Sequence, residues 1–353
     1  MRQLLLVLMA IVIFTACQNN KKKSEKSAKD VTLTAAGATF PFPFYSQLIT
    51  DYATKTGIQV TYGSIGSGGG VRSLKDKVVD FGATDGFLTD EQSAEFASPI
   101  VHIPTCLGAV VLAYNLPGVT SLKLKNEVLV KIFLGEIKKW NDEQIKSDNP
   151  GITLPDMNIS VIYRSDGSGT TQIFSDYMSK ISEKWSKQVG TGKALSWPVG
   201  MGAKGNPGVA GTIKQTEGAF GYIGSEYAFA QKLPYVLLQN SAGNFVEPSL
   251  KSISAAAKGE IPTDTRIMLT NSSDPEAYPI SGFTWIILYK EQAYGDRTHQ
   301  QAEETVKFLD WIISSDAQAI AQKVDYAPLP EKTVALAKTI LQSITFNGEA
   351  LLK

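Results

Sequence analysis

Ile159-Ser160-Val161-Ile162-Tyr163-Arg164-Ser165-Asp166-Gly167-Ser168-Gly169-Thr170-Thr171 runs from an apolar segment through a glycine turn into a helical pattern. Residues 159–163 read as a strand. Ile173, Tyr177, Ile181 and Trp185, spaced four apart, read as one face of a helix over residues 170–185. A loop between two such elements gathers backbone N–H groups, hydroxyls and the positive end of a helix dipole, here with the Arg164 guanidinium beside them. Two readings stay open for this stretch alone. It is either a small-anion site or a solvated turn in which Ser168 caps the helix and Arg164 pairs with Asp166.

Working outward, the same strand, loop and helix order recurs. Residues 31–34 form a short strand running into Gly37-Ala38-Thr39-Phe40-Pro41, and Tyr45, Leu48, Ile49 and Tyr52 then fall at helical spacing. Ile58, Val60 and Tyr62 alternate with polar residues as a half-buried strand does, and end in Ser64-Ile65-Gly66-Ser67-Gly68-Gly69-Gly70. A further segment, Val79-Asp80-Phe81-Gly82-Ala83-Thr84-Asp85-Gly86, closes on an acid at a glycine turn. This alternation predicts an α/β fold with a largely parallel sheet, whose ligands bind beyond the carboxyl ends of the strands, where these four loops lie. Two long apolar strands, at residues 107–115 and 283–289, predict two crossings between lobes. Lobe 1 is expected over residues 31–108 plus 283–353 and lobe 2 over 109–282, with a hinge at the crossings. Further helices are expected over residues 128–140 and 301–321, the latter returning to lobe 1. The glycine-rich stretch 197–211 lacks the Lys-Ser or Lys-Thr pair of a nucleotide loop and reads as a close-packed or ligand-bordering segment.

The chain has 353 residues, 43% hydrophobic and 19% charged, which is apolar material for two cores. Lys+Arg and Asp+Glu balance at 34 each, so bulk charge gives no reason to expect nucleic acid or an anionic membrane surface as partner. At the N-terminus, Arg2 and an apolar run over residues 4–14 read as an export signal too short to span a bilayer. Thr15-Ala16-Cys17 resembles the lipobox of bacterial lipoproteins, with Phe14 where an aliphatic residue is usual; an ordinary secretory signal with an incidental cysteine is the other reading. The lipobox resemblance implies that residues 1–17 are the signal and that acyl chains on Cys17 anchor the protein. Residues 18–30, with Lys21-Lys22-Lys23, read as a flexible tether. Cys106 then has no partner, so a buried, inert thiol is expected and no cysteine metal site follows. His102 and His299 lie outside the candidate loops and are expected in core or solvated roles. No hydrolase, nucleotide or zinc signature is present, and no metal or cofactor is expected.

Five stretches, in this order, resemble the phosphate-binding protein family of the bacterial high-affinity phosphate ABC transporter. They are Gly37-Ala38-Thr39-Phe40-Pro41, Gly66-Ser67-Gly68-Gly69, Asp80-Phe81-Gly82-Ala83-Thr84-Asp85, Phe133-Leu134-Gly135-Glu136-Ile137-Lys138-Lys139-Trp140 and Arg164-Ser165-Asp166-Gly167-Ser168-Gly169-Thr170. Gly68 and Thr84 depart from the serines common there. The resemblance implies a two-lobed periplasmic-binding-protein fold, each lobe a mixed sheet flanked by helices, in a monomer lipid-anchored at the periplasmic face. It implies that Thr39, Phe40, Ser67, Asp85, Arg164, Ser168, Gly169 and Thr170 hold inorganic phosphate, with Asp166 supporting Arg164, and that an ABC permease receives it. Asp85 fits only a ligand that carries a proton, which phosphate has and sulfate at neutral pH lacks. A binding protein for another oxyanion, a phosphate sensor and a phosphate-recognising hydrolase remain the alternatives.

Overall fold

Ile100–Tyr114 is a single strand of β-branched and other apolar residues, buried along nearly its whole length, and the molecule is assembled on both of its edges. The computed structural model describes residues 31–352; the signal, Cys17 and the tether expected at residues 1–30 lie outside the described residues. An eight-stranded sheet runs in the order Gln59–Ser64, Thr32–Gly37, Phe81–Thr84, Ser281–Tyr289, Ile100–Tyr114, Ala219–Gly224, Ser160–Arg164, Met201–Ala203. The first three are parallel to one another, as are the last three. The two central strands run antiparallel to their neighbours. Mixed pairing with helices packed on both sets of strands gives the two-lobed α/β fold expected.

The long strand serves both lobes. Ile100 through Ala109 pair with Ser281–Tyr289, and Val110 through Tyr114 pair with Ala219–Gly224. Its regularity breaks once: Thr284 faces Cys106 while Trp285 faces Pro104, leaving Thr105 as an extra residue. Proline cannot donate to the ladder, and a bulge is where a buried sheet tolerates it. The Thr105 hydroxyl bonds Tyr45 and donates to the Thr284 carbonyl, which fixes the bulge. This bulge lies next to Thr284, a residue of the site described below.

Two expected helices are divided and a third is cut short. Residues 170–185 form Gly169–Ile181 and Glu183–Gln188, with Ser182 in extended conformation accepting the Trp185 N–H as the cap of the second. The helix expected at 128–140 stops early, at Asn126–Phe133, because Gly135 takes φ +75°, a left-handed stop that glycine adopts without strain. Residues 301–321 split into His299–Ile312 and Ser315–Lys323 where Ser314 caps the second. These helices pack back on the first strand and first helix. The aromatics of the second lobe are core: Phe174 stacks on Tyr222 at 4.5 Å and Trp185 is fully buried. His102 is buried, accepts the Leu88 N–H, and is pushed down to about 3 by lost hydration and by Arg266 nearby. His299 is exposed. Cys106 is buried and free, its thiol pushed up by burial.

Candidate functional site

The loops singled out in the sequence meet where the two lobes face each other. Each follows from a strand that ends and a helix that begins. Thr32–Gly37 delivers Thr39 and Phe40 to the start of the Phe42–Thr56 helix, where Pro43 in the first turn donates nothing and loses nothing. Gln59–Ser64 leads through Gly66 to Ser67 at the first position of the Ser67–Lys75 helix. That helix lies close on the sheet because Gly70 has no side chain: a Cβ there would stand 2.5 Å from the Gly37 Cα. Phe81–Thr84 ends in Asp85. From the other lobe, Ser160–Arg164 ends in Arg164 and leads to Ser168, cap of the Gly169–Ile181 helix. A fourth helix, Gly205–Gln215, begins beside them.

Thr39, Phe40, Ser67, Asp85, Arg164, Ser168 and Thr170 are all at least 96% buried in this arrangement. Arg164 forms a two-pronged pair with Asp166, Nε to Oδ1 at 2.8 Å and Nη2 to Oδ2 at 2.6 Å, and its Nη1 reaches the Thr170 hydroxyl at 3.4 Å. Burial would raise the Asp166 carboxyl, but the Arg164 guanidinium and the Gly205 N–H outweigh it and hold the group below the usual range. Ser168 accepts the Thr171 N–H at 3.0 Å. Cap and ion pair, the features of a plain turn, are both present, but the guanidinium is buried and the half-buried Asp166 carboxylate lies against Gly66 of the other lobe rather than in open solvent.

Lobe meets lobe through hydrogen bonds. Gly169 N donates to Ser67 Oγ at 3.0 Å, and Gly68 N donates to the Gly167 carbonyl at 2.8 Å. Ser67 Oγ also accepts from Asp85 N at 3.3 Å and donates to Asp85 Oδ2 at 3.4 Å. The Ser67 hydroxyl and Gly169 N–H, expected as donors to an anion, therefore bond each other here. The N–H groups of Phe40 and Thr170 have no backbone acceptor among the described residues. Both lie at helix starts, where such donors favour an anion.

Asp85 is 1% exposed, and its Oδ1 accepts the Thr284 hydroxyl at 2.9 Å. Burial raises its pKa to about 7, against the opposing pull of the Thr284 bond, of the Arg164 and Lys193 charges and of the Ser67 bond. Lys193 is itself held down to about 8 by lost hydration, which Asp85 partly offsets. Three residues here were not singled out in the sequence: Thr284, Lys193 and Asn206. Asn206, at the start of the fourth helix, bonds the hydroxyls of both Thr39 and Thr170. Its signal was Pro207 just after it, a helix-start residue inside the glycine-rich stretch. Among the described residues no group of three or more His, Cys, Asp or Glu is placed to hold a metal ion.

A PBP superfamily domain matches residues 23–316. The Phosphate-binding protein PstS of Haemophilus influenzae is 41% identical over 313 residues, covering 87% of this chain and 92% of its own. The crystal structure of a phosphate-binding protein from Stenotrophomonas maltophilia superposes with a TM-score of 0.65 at 15% identity, covering 88% of this chain and 93% of its own. An ABC-type phosphate transport receptor from Vibrio cholerae superposes with a TM-score of 0.55 at 18% identity, covering 84% and 100%. These two likenesses concern the fold.

Proposed function

Because the chain belongs to the PstS family of phosphate-binding proteins within the PBP superfamily, we propose that it binds inorganic phosphate between its lobes and hands it to an ABC permease for uptake. The observation that carries this reading is Asp85, a buried acid set among donors. A dehydrated anion needs many hydrogen bonds, and Arg164, the hydroxyls of Thr39, Ser168 and Thr170, and the N–H groups of Phe40 and Thr170 are positioned to supply them. When an anion enters, Ser67 and Gly169 can exchange their mutual bond for bonds to the ligand. Such a donor set suits any oxyanion, and Asp85 selects one with a proton to give. Competition calorimetry is expected to show tight phosphate binding, arsenate competing and sulfate barely registering. Equal phosphate and sulfate affinities would sink the account. Turnover of a fluorogenic phosphomonoester, which this reading does not expect, would point to a hydrolase instead.

Closure of lobe 1 (residues 31–108 and 283–353) on lobe 2 (109–282) about the crossings at Ala109/Val110 and Ser281 is the motion proposed. Its tightest point is Gly169, where an added Cβ would lie 2.6 Å from Asp85 Cβ, Asp85 N and Ser67 Oγ. Only the closed form suffers that clash. Gly169→Ala should therefore cost about 1–3 kcal/mol of closure, roughly 5- to 150-fold in phosphate Kd, with thermal stability of the unliganded protein little changed. Titration of the variant at parent-like affinity would rule this contact out as the closing point.

Export and anchoring through lipidated Cys17 complete the proposal. No helix among the described residues is long and apolar enough to cross a membrane. Cys17→Ser should move the protein from the membrane fraction to the soluble one; a variant that stays with the membrane argues against the anchor.

A further inference from the structure

A hydroxyl has one proton to donate and two lone pairs to accept with, so its direction is undetermined until both lone pairs are filled. The Thr39 hydroxyl receives two N–H groups from one residue, Asn206 N at 3.1 Å and Asn206 Nδ2 at 3.0 Å. The same Nδ2 reaches Thr170 Oγ1 at 3.1 Å, and that oxygen also receives Arg164 Nη1 at 3.4 Å. Both hydroxyls are saturated as acceptors, and each is left with a proton to give. The Asn206 amide cannot be turned the other way without loss, because its Oδ1 accepts the Gly224 N–H at 3.0 Å. Asn206 is fully buried. It stands on one lobe with Thr170, while Thr39 stands on the other.

We propose that Asn206 is a positioning residue: it makes the Thr170 hydroxyl an obligate donor to the anion within its own lobe, and makes the Thr39 hydroxyl one as the lobes close. This rests on the phosphate-binding reading above and deepens it. The oxygens of a phosphate are mostly acceptors, so a hydroxyl free to point its lone pairs at the ligand weakens the site, whereas one with its lone pairs filled cannot. Because the Thr39 bonds cross between lobes, that hydroxyl is set only on closure, whereas Thr170 is set beforehand.

A double-mutant cycle separates this role from simple packing. Asn206→Ala and Thr39→Val are made singly and together, and phosphate Kd is measured by calorimetry, with thermal unfolding confirming that each variant folds. If Asn206 acts through the Thr39 proton, its loss matters much less once that hydroxyl is gone. A coupling of roughly 10-fold is expected, within the range found for residues in direct contact. Asn206→Asp is the second probe. At pH 8 its carboxylate accepts the hydroxyl protons, and phosphate binding should fall at least about 100-fold, as for a reversed buried hydrogen bond beside a new charge. As pH falls toward 5 the protonated acid donates again, so the variant-to-parent Kd ratio should shrink. Additive losses in the cycle, or an Asp variant with parent affinity at pH 8, would overturn the role of Asn206. A parent that binds no phosphate would overturn the functional reading itself.

Discussion

Arg164→Ala is expected to weaken phosphate binding by about 2–5 kcal/mol, or roughly 30- to 5,000-fold, because it removes a buried charged donor and strands its partner. The Arg164 side chain is 1% exposed and forms a two-pronged pair with Asp166. Its remaining nitrogen, Nη1, leans on the Thr170 hydroxyl. Truncation leaves Asp166 with the Gly205 N–H but without the guanidinium that outweighs the effect of its burial, so a negative charge faces the cleft uncompensated. Arg164→Lys tests the geometry: a lysine restores the charge but not the planar fork, and should recover only part of the loss. Arg164→Ala/Asp166→Asn removes the stranded charge and should bind better than Arg164→Ala alone. Calorimetry on the three variants checks this, with the thermal shift at saturating phosphate as a second measure of affinity. Parent-like affinity in Arg164→Ala would remove the guanidinium from the site.

The parts of this architecture that could be read from the chain are those set by local chemistry. Glycine at 37, 66 and 169, each within two residues of a hydroxyl residue and ahead of an apolar period, marks strand, loop and helix from the sequence alone. The parts that could not be read depend on register across long separations. Thr284 is one polar residue within a buried apolar strand. It meets Asp85, 199 positions away, beside the point where Thr105 bulges and Pro104 cannot donate. Asn206 lies in a glycine-rich stretch that reads as close-packed or ligand-bordering, and its own part emerges only where the other lobe brings Thr39 against it, 167 positions away. The helix breaks at Gly135, Ser182 and Ser314 each turn on one residue whose capping preference competes with a continuing apolar period, and periodicity alone does not arbitrate that contest. Ser67 is legible as a residue that holds an anion, but its meeting with the Gly169 N–H depends on how closely the lobes approach.

Selection among anions is where the largest effect is expected: phosphate over sulfate by roughly 10⁴- to 10⁵-fold, the scale on which a site rejects a ligand that leaves its buried polar group unpaired. Both monobasic and dibasic phosphate carry a proton that the Asp85 carboxylate can accept. Sulfate at neutral pH carries none, so two acceptors face each other at a buried carboxylate. Asp85→Asn replaces one acceptor with an N–H donor, and the gap should narrow to about 10², mostly by tighter sulfate binding. pH provides an independent check, because burial lifts Asp85 from its ordinary 3.8 to about 7 against the Thr284 bond and the Arg164 charge. Below about 7 the acid keeps its own proton and can donate it to sulfate. Sulfate affinity of the parent should therefore rise as pH falls through about 7, while that of Asp85→Asn stays level. Stability follows the same sign: a raised acid contributes stability that is full below 3.8 and is lost as pH rises through about 7. The unliganded parent should thus lose thermal stability relative to Asp85→Asn across that window. Competition titrations and melting curves from pH 5.5 to 8.5 test both. Sulfate binding to the parent that ignores pH would mean that the Asp85 proton is not what separates the two anions.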